Sequence, residues 1–145
     1  MREVPPIFHE YVAGLKAHDV PRIAATMGDD LQVIGATRTL GKPEFVPFLH
    51  ALYTAFPDWN YDHDPIEWHD DLLAIKWRQS GTHTATLAFP GMAPIAATGR
   101  RVRIPDQYFR YRVANDRLVL IHPDPIPGGA PRGILEQIGA VEPPL

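Results

Sequence analysis

The chain has 145 residues, 45% of them hydrophobic, which suits one domain with a single core and is short for two. Its net charge of −3 comes from 14 basic and 17 acidic residues spread along the chain, which argues against a nucleic-acid-binding surface or a polybasic membrane anchor. There is no cysteine, so disulfide bonds, thiol nucleophiles and cysteine metal sites are excluded, and small molecules or other proteins remain as partners.

The sequence shows no targeting or membrane segment. The residues from Met1 to Pro6 lack the apolar run of a signal peptide, and no stretch reaches the roughly 20 apolar residues of a membrane span. We therefore expect a cytoplasmic protein without membrane contact, built as one domain over residues 1–145.

Helices are predicted in the first part of the chain. Apolar residues at helical spacing predict a first helix to about His18, and Asp19 can cap a second, shorter helix that Gly28 closes. A β-leaning segment, Leu31 to Leu40, predicts a strand. The strongest apolar stripe of the sequence then predicts a third helix, which ends at Pro57.

The rest of the chain favours strands separated by turn residues. The predicted strands are Trp59 to Trp68, Leu72 to Phe89, Arg101 to Val113 and Arg117 to Ile121. Turns are expected at Asp70-Asp71 and at Asn115-Asp116, and a bulge is expected at Gly81. A short amphipathic helix is predicted from Pro131 to Val141.

Helices followed by long strands indicate an α+β architecture. We expect a cone-shaped, curved, mainly antiparallel sheet wrapped around three N-terminal helices, with a short C-terminal helix. The mouth of such a cone would be apolar and would suit a small-molecule ligand.

Several short stretches resemble a known family in order and spacing. They are Ala55-Phe56-Pro57-Asp58-Trp59, Ala74-Ile75-Lys76-Trp77, Gly81-Thr82-His83-Thr84, Thr98-Gly99-Arg100-Arg101-Val102 and the closing Gly133-Ile134-Leu135-Glu136-Gln137-Ile138-Gly139. Together they resemble the SnoaL-like polyketide cyclase family of the nuclear transport factor 2-like superfamily. The resemblance implies a homodimer and a cofactor-free cyclase or isomerase that acts on a small polyketide-like or carbonyl compound.

The resemblance also implies a catalytic aspartate after the last strand. Relatives usually carry a tryptophan and then an aspartate there, whereas this chain has His122, Pro123, Asp124 and Pro125. The acid/base candidates are therefore Asp124 and, beside it, His122. A carboxyl group buried in an apolar pocket would have a raised pKa, which suits proton transfer at neutral pH. The alternative is a rigid surface turn with a solvated aspartate.

Strand alternation indicates which side chains form the pocket wall. Gln107, Phe109 and Tyr111 share one face of their strand, while Asp106 and Arg110 share the other. Gln107 is a candidate donor to an enolate oxygen, or else a solvated residue at the rim.

Further binding candidates are aromatic. Tyr53, Trp59 and Trp77 are expected in the core or the pocket lining. His83 matches a recurrent family histidine, and it either contacts substrate or hydrogen-bonds a neighbouring strand.

Two other functions stay open. The chain could be a non-catalytic small-molecule-binding or dimeric structural protein. It could also be an epoxide hydrolase, for which Asp106, Arg110 and Asp124 supply the residue types, although the alternation places Asp106 and Arg110 away from Gln107. The seven histidines form no helical i, i+4 pair and no glycine-rich nucleotide loop is present, so we expect neither a metal nor a cofactor.

Overall fold

The computed structural model describes residues 2–36 and 38–140. Within these ranges the helices are α1 (Pro6–Ala17), α2 (Val20–Ala25), α3 (Lys42–Ala55) and α4 (Arg132–Gln137). The strands are β1 (Met27–Ile34), β2 (Thr39–Leu40), β3 (Asn60–His63), β4 (Glu67–His69), β5 (Leu72–Thr82), β6 (Arg101–Arg103), β7 (Gln107–Ala114) and β8 (Arg117–Pro123). No helix in the described ranges is both long and apolar enough to span a membrane.

The strands form one strongly curled, mixed sheet with the order β2-β1-β8-β7-β5-β3, and β4 and β6 also pair with β5. The described pairs are antiparallel except that β1 runs parallel to β8. The sheet curls into a half-barrel, and this confirms the predicted α+β class with a short C-terminal helix.

Alternation along the strands determines what faces the core. In β5, Leu73, Ile75 and Trp77 are buried, while Lys76 and Arg78 are only partly covered. Apolar area removed from water is the main favourable term in folding, so the buried set fixes which face of β5 is concave.

The helix boundaries follow from their caps. The Asp19 side chain accepts a hydrogen bond from the Arg22 backbone N–H at 3.2 Å, so the predicted cap is confirmed. The prediction that Gly28 closes α2 is wrong. The backbone N–H of Leu118 in β8 donates to the Thr26 carbonyl, and Met27 already pairs with Leu118, so the chain enters β1 before it reaches Gly28.

Three predicted strands are shorter than expected. The segment from Trp59 splits into β3 and β4 on either side of Pro65, and the segment from Arg101 splits around Pro105. Proline has no N–H to donate to a ladder, which accounts for both interruptions. The strand predicted to reach Phe89 ends at Thr82.

Other local predictions have mixed outcomes. The segment from Leu31 to Leu40 is a hairpin of β1 and β2. The expected turns are confirmed by left-handed backbone at Asp70, Asn115 and Asp116. The C-terminal helix is shorter than predicted, and Val141 lies outside the described residues.

The bulge expected at Gly81 is not found, because Gly81 pairs with Val102 in regular register between Ser80–Arg103 and Thr82–Arg101. A Cβ atom added at Gly81 would lie 2.6 Å from Cε3 of Trp59. The glycine is therefore explained by close packing of an indole on β5.

We predict that Gly81→Ala lowers the free energy of unfolding by about 1–3 kcal/mol, the usual cost of overpacking a core. Chemical denaturation measures the change. Gly41→Ala is the matched control, because a Cβ at Gly41 meets its nearest neighbour at an ordinary 3.5 Å. Equal stability of the two variants would contradict the packing explanation.

Candidate ligand pocket

An apolar pocket lies between the concave face of the sheet and helices α1 and α3. It contains about 770 Å³ of empty space, part of which opens to solvent. Most of its wall is aliphatic or aromatic, including Leu15, Val33, Phe45, Phe48 and Ile121. A mainly apolar wall with a few polar groups is typical of small-molecule sites.

The polar side chains of the pocket wall are few and neutral. These side chains are Tyr11, Tyr61, Trp77, Gln79 and Tyr111. No charged side chain and no histidine belongs to the wall that the described residues form. The pocket therefore offers hydrogen bonds to a ligand without offering a countercharge.

Tyr111 in β7 has the most constrained hydroxyl group of this set. The indole Nε1–H of Trp77 in β5 donates to the Tyr111 oxygen at 2.7 Å, and the ring of Tyr11 lies edge-on at 5.7 Å. Because the oxygen accepts the indole proton, the phenol's own O–H remains a donor. The side chains of Tyr11 and Tyr111 also share one hydrogen bond, which leaves one of the two phenol protons for a ligand carbonyl.

Two further hydrogen bonds connect the wall to the residues behind it. The hydroxyl groups of Tyr53 in α3 and Tyr61 in β3 lie 2.6 Å apart. The Trp59 indole donates to the side-chain oxygen of Gln79 at 3.2 Å. Tyr53 and Trp59 thus lie outside the pocket lining and orient residues that belong to it.

Burial changes the acidity of these phenols. It raises the pKa of Tyr11, Tyr61 and Tyr111 above the usual value for a phenol, and it raises the pKa of Tyr53 as well. The groups stay protonated, and able to donate, well beyond neutral pH.

Asp124 lies on the other side of β8 from the pocket. Ile121 and Pro123 line the pocket, whereas the Asp124 carboxylate accepts a hydrogen bond from the Arg110 guanidinium. Arg110 also donates to Nδ1 of His69 at 3.3 Å. The Asp124 side chain is 32% exposed.

His122 and Asp124 both line a second, outer cavity. This cavity shares part of its wall with the apolar pocket, namely Ile34, Gly35, Pro123, Ala130 and Pro131. The acid/base candidates are therefore adjacent to the pocket mouth and outside the apolar lining.

The side-chain amide of Gln107 forms hydrogen bonds to the backbone. Its Nε2 donates to the Asp124 carbonyl at 2.9 Å, and its Oε1 accepts from the Ala130 N–H at 2.9 Å. It belongs to the wall of the outer cavity, and both ends of its amide are occupied.

His83 is fully buried away from the pocket lining and stacks on Phe56 at 5.2 Å. Its Nδ1 accepts from the Thr98 backbone N–H at 3.2 Å, while its Nε2 has no hydrogen-bond partner among the described residues. Burial lowers the pKa of His83, which favours the neutral ring.

Of the predicted binding residues, Trp77, Phe109 and Tyr111 line the apolar pocket. Sequence reasoning missed Tyr11, Tyr61 and Gln79. Gln79 shares its strand face with Trp77, so the period-two alternation of β5 could have predicted that Gln79 faces the pocket.

The residues considered for epoxide hydrolysis are partly brought together. Arg110 and Asp124 are ion-paired, whereas Asp106 is exposed before β7. Among the described residues, no group of three or more His, Asp or Glu side chains could hold a metal ion.

Comparisons with known proteins agree with this architecture. The family model of the SnoaL-like domain matches residues 8–121. AclR from Streptomyces galilaeus superposes with a TM-score of 0.71 at 20% identity, over 94% of this chain and 95% of its own. No curated protein matches the sequence significantly.

Two further solved structures carry cyclase names. A protein from Jannaschia sp. CCS1 that is classed with the SnoaL-like polyketide cyclases gives a TM-score of 0.67 at 17% identity, over 98% of this chain and 100% of its own. A SnoaL-like polyketide cyclase from Agrobacterium tumefaciens gives 0.62 at 15% identity, over 85% and 91%. At these identities the likeness shows the fold alone.

We predict that the buried tyrosines destabilise the fold in alkali. Their pKa values are raised by folding, so their stabilising contribution is complete below the ordinary phenol pKa of about 10 and falls as the pH rises above it. Tyrosinate absorbance of Tyr11, Tyr53, Tyr61 and Tyr111 should appear together with unfolding. The urea-unfolded chain is the control, and ionisation of all five tyrosines in the native fold near the ordinary value would contradict the prediction.

Proposed function

The chain belongs to the SnoaL-like domain family, and from this membership we propose that it binds a neutral, largely apolar carbonyl compound of polyketide-like type in the pocket. The observation that carries the proposal is the composition of the pocket wall, whose polar side chains carry phenol, indole and amide groups and no charge. An unpaired charge transferred into such a wall would cost several kcal/mol or more. A neutral ligand avoids this cost.

The phenols favour a ligand with a hydrogen-bond acceptor. The Tyr111 oxygen accepts from Trp77, and the hydroxyl groups of Tyr11 and Tyr111 share one hydrogen bond, so one phenol proton of the pair is left to donate to a ligand. A carbonyl oxygen that accepts from Tyr111 or Tyr11 would satisfy a buried donor, which adds specificity to apolar contact.

A second candidate function is cofactor-free cyclisation or isomerisation, and the position of the outer cavity favours it. A phenol donor on a carbonyl stabilises the negative charge of an enolate. His122 and Asp124 line the adjoining cavity, so a ligand that extends through the mouth would reach them. The Asp124 carboxylate is ion-paired with Arg110 and does not belong to the apolar wall, which favours binding as the primary proposal.

We predict that the wild-type protein binds fluorenone more tightly than fluorene, which replaces the carbonyl with a methylene group. One hydrogen bond is worth about 0.5–1.5 kcal/mol, so the preference should be roughly two- to tenfold. Tyr111→Phe and Tyr11→Phe should each reduce it, measured by calorimetry. Tyr108→Phe, on the outer face of β7, is the matched control. An unchanged preference in both pocket variants would exclude these phenols as the donors.

We predict that, if Asp124 is the catalytic base, Asp124→Asn abolishes protein-catalysed deuterium exchange at the acidic C–H of α-tetralone and leaves its affinity unchanged. Nuclear magnetic resonance measures the exchange. Asp71→Asn is the matched control, because Asp71 also pairs with an arginine, Arg112, on the outer side. Equal exchange rates in the two variants would contradict the acid/base role of Asp124 and would leave the proposed binding function unaffected.

A further inference from the structure

The wall between the apolar pocket and the outer cavity includes Ala130 and Pro131, which line both spaces. We propose that Gln107 is a positioning residue that holds the segment 124–131 in place as this wall, and thereby retains the ligand. The proposal rests on the proposed binding function and assigns Gln107 a role without direct ligand contact.

The segment has little regular pairing of its own. It contains Pro125, Pro127 and Pro131, none of which can donate a backbone hydrogen bond. The backbone bonds inside it, Ile126 N–H to Asp124 and Gly129 N–H to Ile126, are local turns. These two bonds do not connect the segment to the sheet. The Asp124 N–H does so at the start of the segment, where it donates to the Tyr108 carbonyl in β7 at 2.9 Å, and no comparable backbone bond to the sheet is found for the described residues from Pro125 to Ala130.

Gln107 supplies a connection to the sheet at both ends of the segment. Its amide group donates to the Asp124 carbonyl and accepts from the Ala130 N–H, each at 2.9 Å. The residue is only 2% exposed. Two bonds from one buried amide therefore bind two points of the wall that are six residues apart.

The wall also fits closely around this amide. A Cβ atom added at Gly129 would lie 2.7 Å from Nε2 and 3.0 Å from Cδ of Gln107. Glycine at this position lets the segment pass directly over the side chain. The fit supports a holding role and leaves the amide no room for a ligand on that side.

Loss of the amide would leave the Asp124 carbonyl and the Ala130 N–H without this partner. The Asp124 carbonyl would keep the Ile126 N–H, whereas the Ala130 N–H would gain by turning toward water, and this would move that end of the wall outward and join the two cavities. A bound ligand would dissociate faster, while the inner pocket would keep its composition.

The chain offers a matched control in Gln137 of α4. Its Oε1 accepts from the Arg103 N–H at 2.9 Å and its Nε2 donates to the Arg103 carbonyl at 2.7 Å. Gln137→Leu thus removes the same two kinds of bond from the fold without touching the wall. Because Gln137 is half-buried and Gln107 is buried, dissociation is compared at equal loss of unfolding free energy, where a purely structural loss should affect both variants alike.

The experiment compares Gln107→Leu with Gln137→Leu, using the neutral fluorophore N-phenylnaphthylamine in stopped-flow dissociation. We expect dissociation from Gln107→Leu to be about tenfold faster than from the wild type, given two broken bonds, and that from Gln137→Leu to be within about twofold. Gly129→Ala should act in the same direction as Gln107→Leu. Equal dissociation rates in the two glutamine variants would overturn the proposal.

Amide hydrogen exchange of the ligand-free proteins gives a readout that does not need the probe. Exchange at Ala130 should rise in Gln107→Leu, and exchange at Arg103 should rise in Gln137→Leu. Unchanged exchange at Ala130 would overturn the positioning role. If the wild type does not bind the probe, the proposed binding function fails, and exchange at Ala130 still decides whether Gln107 holds the wall.

Discussion

The structure depends on one constraint: polar groups around an apolar pocket must satisfy one another, because water and charged partners are scarce there. Three hydrogen bonds between different helices, strands and loops satisfy this constraint. Trp77 in β5 bonds Tyr111 in β7, Trp59 before β3 bonds Gln79 in β5, and Tyr53 in α3 bonds Tyr61 in β3. Because each bond has a directional requirement, the set fixes how the strands and α3 lie around the empty space.

The same sheet separates neutral groups from charged ones. The concave face presents phenol, indole and amide groups, whereas the opposite side of β7 and β8 presents Arg110 and Asp124 as an ion pair. Charges on the outer side keep their contact with water, and the inner face avoids the desolvation cost. An acid/base reaction in this fold would have to take place where the two environments meet, at the mouth of the pocket.

The part of this arrangement that depends on neighbouring residues could be predicted from the sequence. Period-two alternation placed Trp77, Phe109 and Tyr111 on the concave face, since that signal needs only neighbouring residues. The side of the sheet on which Asp124 lies could not be deduced in the same way, because the prolines around it end the regular strand. The role of Gln107 depends on Ala130, a residue far along the chain, so its own strand position could not reveal it.

The parallel pairing of β1 with β8 has a consequence for folding. Residues 35–116 separate these two strands, so their contact closes a very long loop, and such contacts form slowly. During synthesis, the edge of β1 that pairs with β8 stays unpaired until β8 has left the ribosome. The binding cavity is accordingly among the last features to be assembled, and a nascent chain exposes the apolar surface of β1 until then.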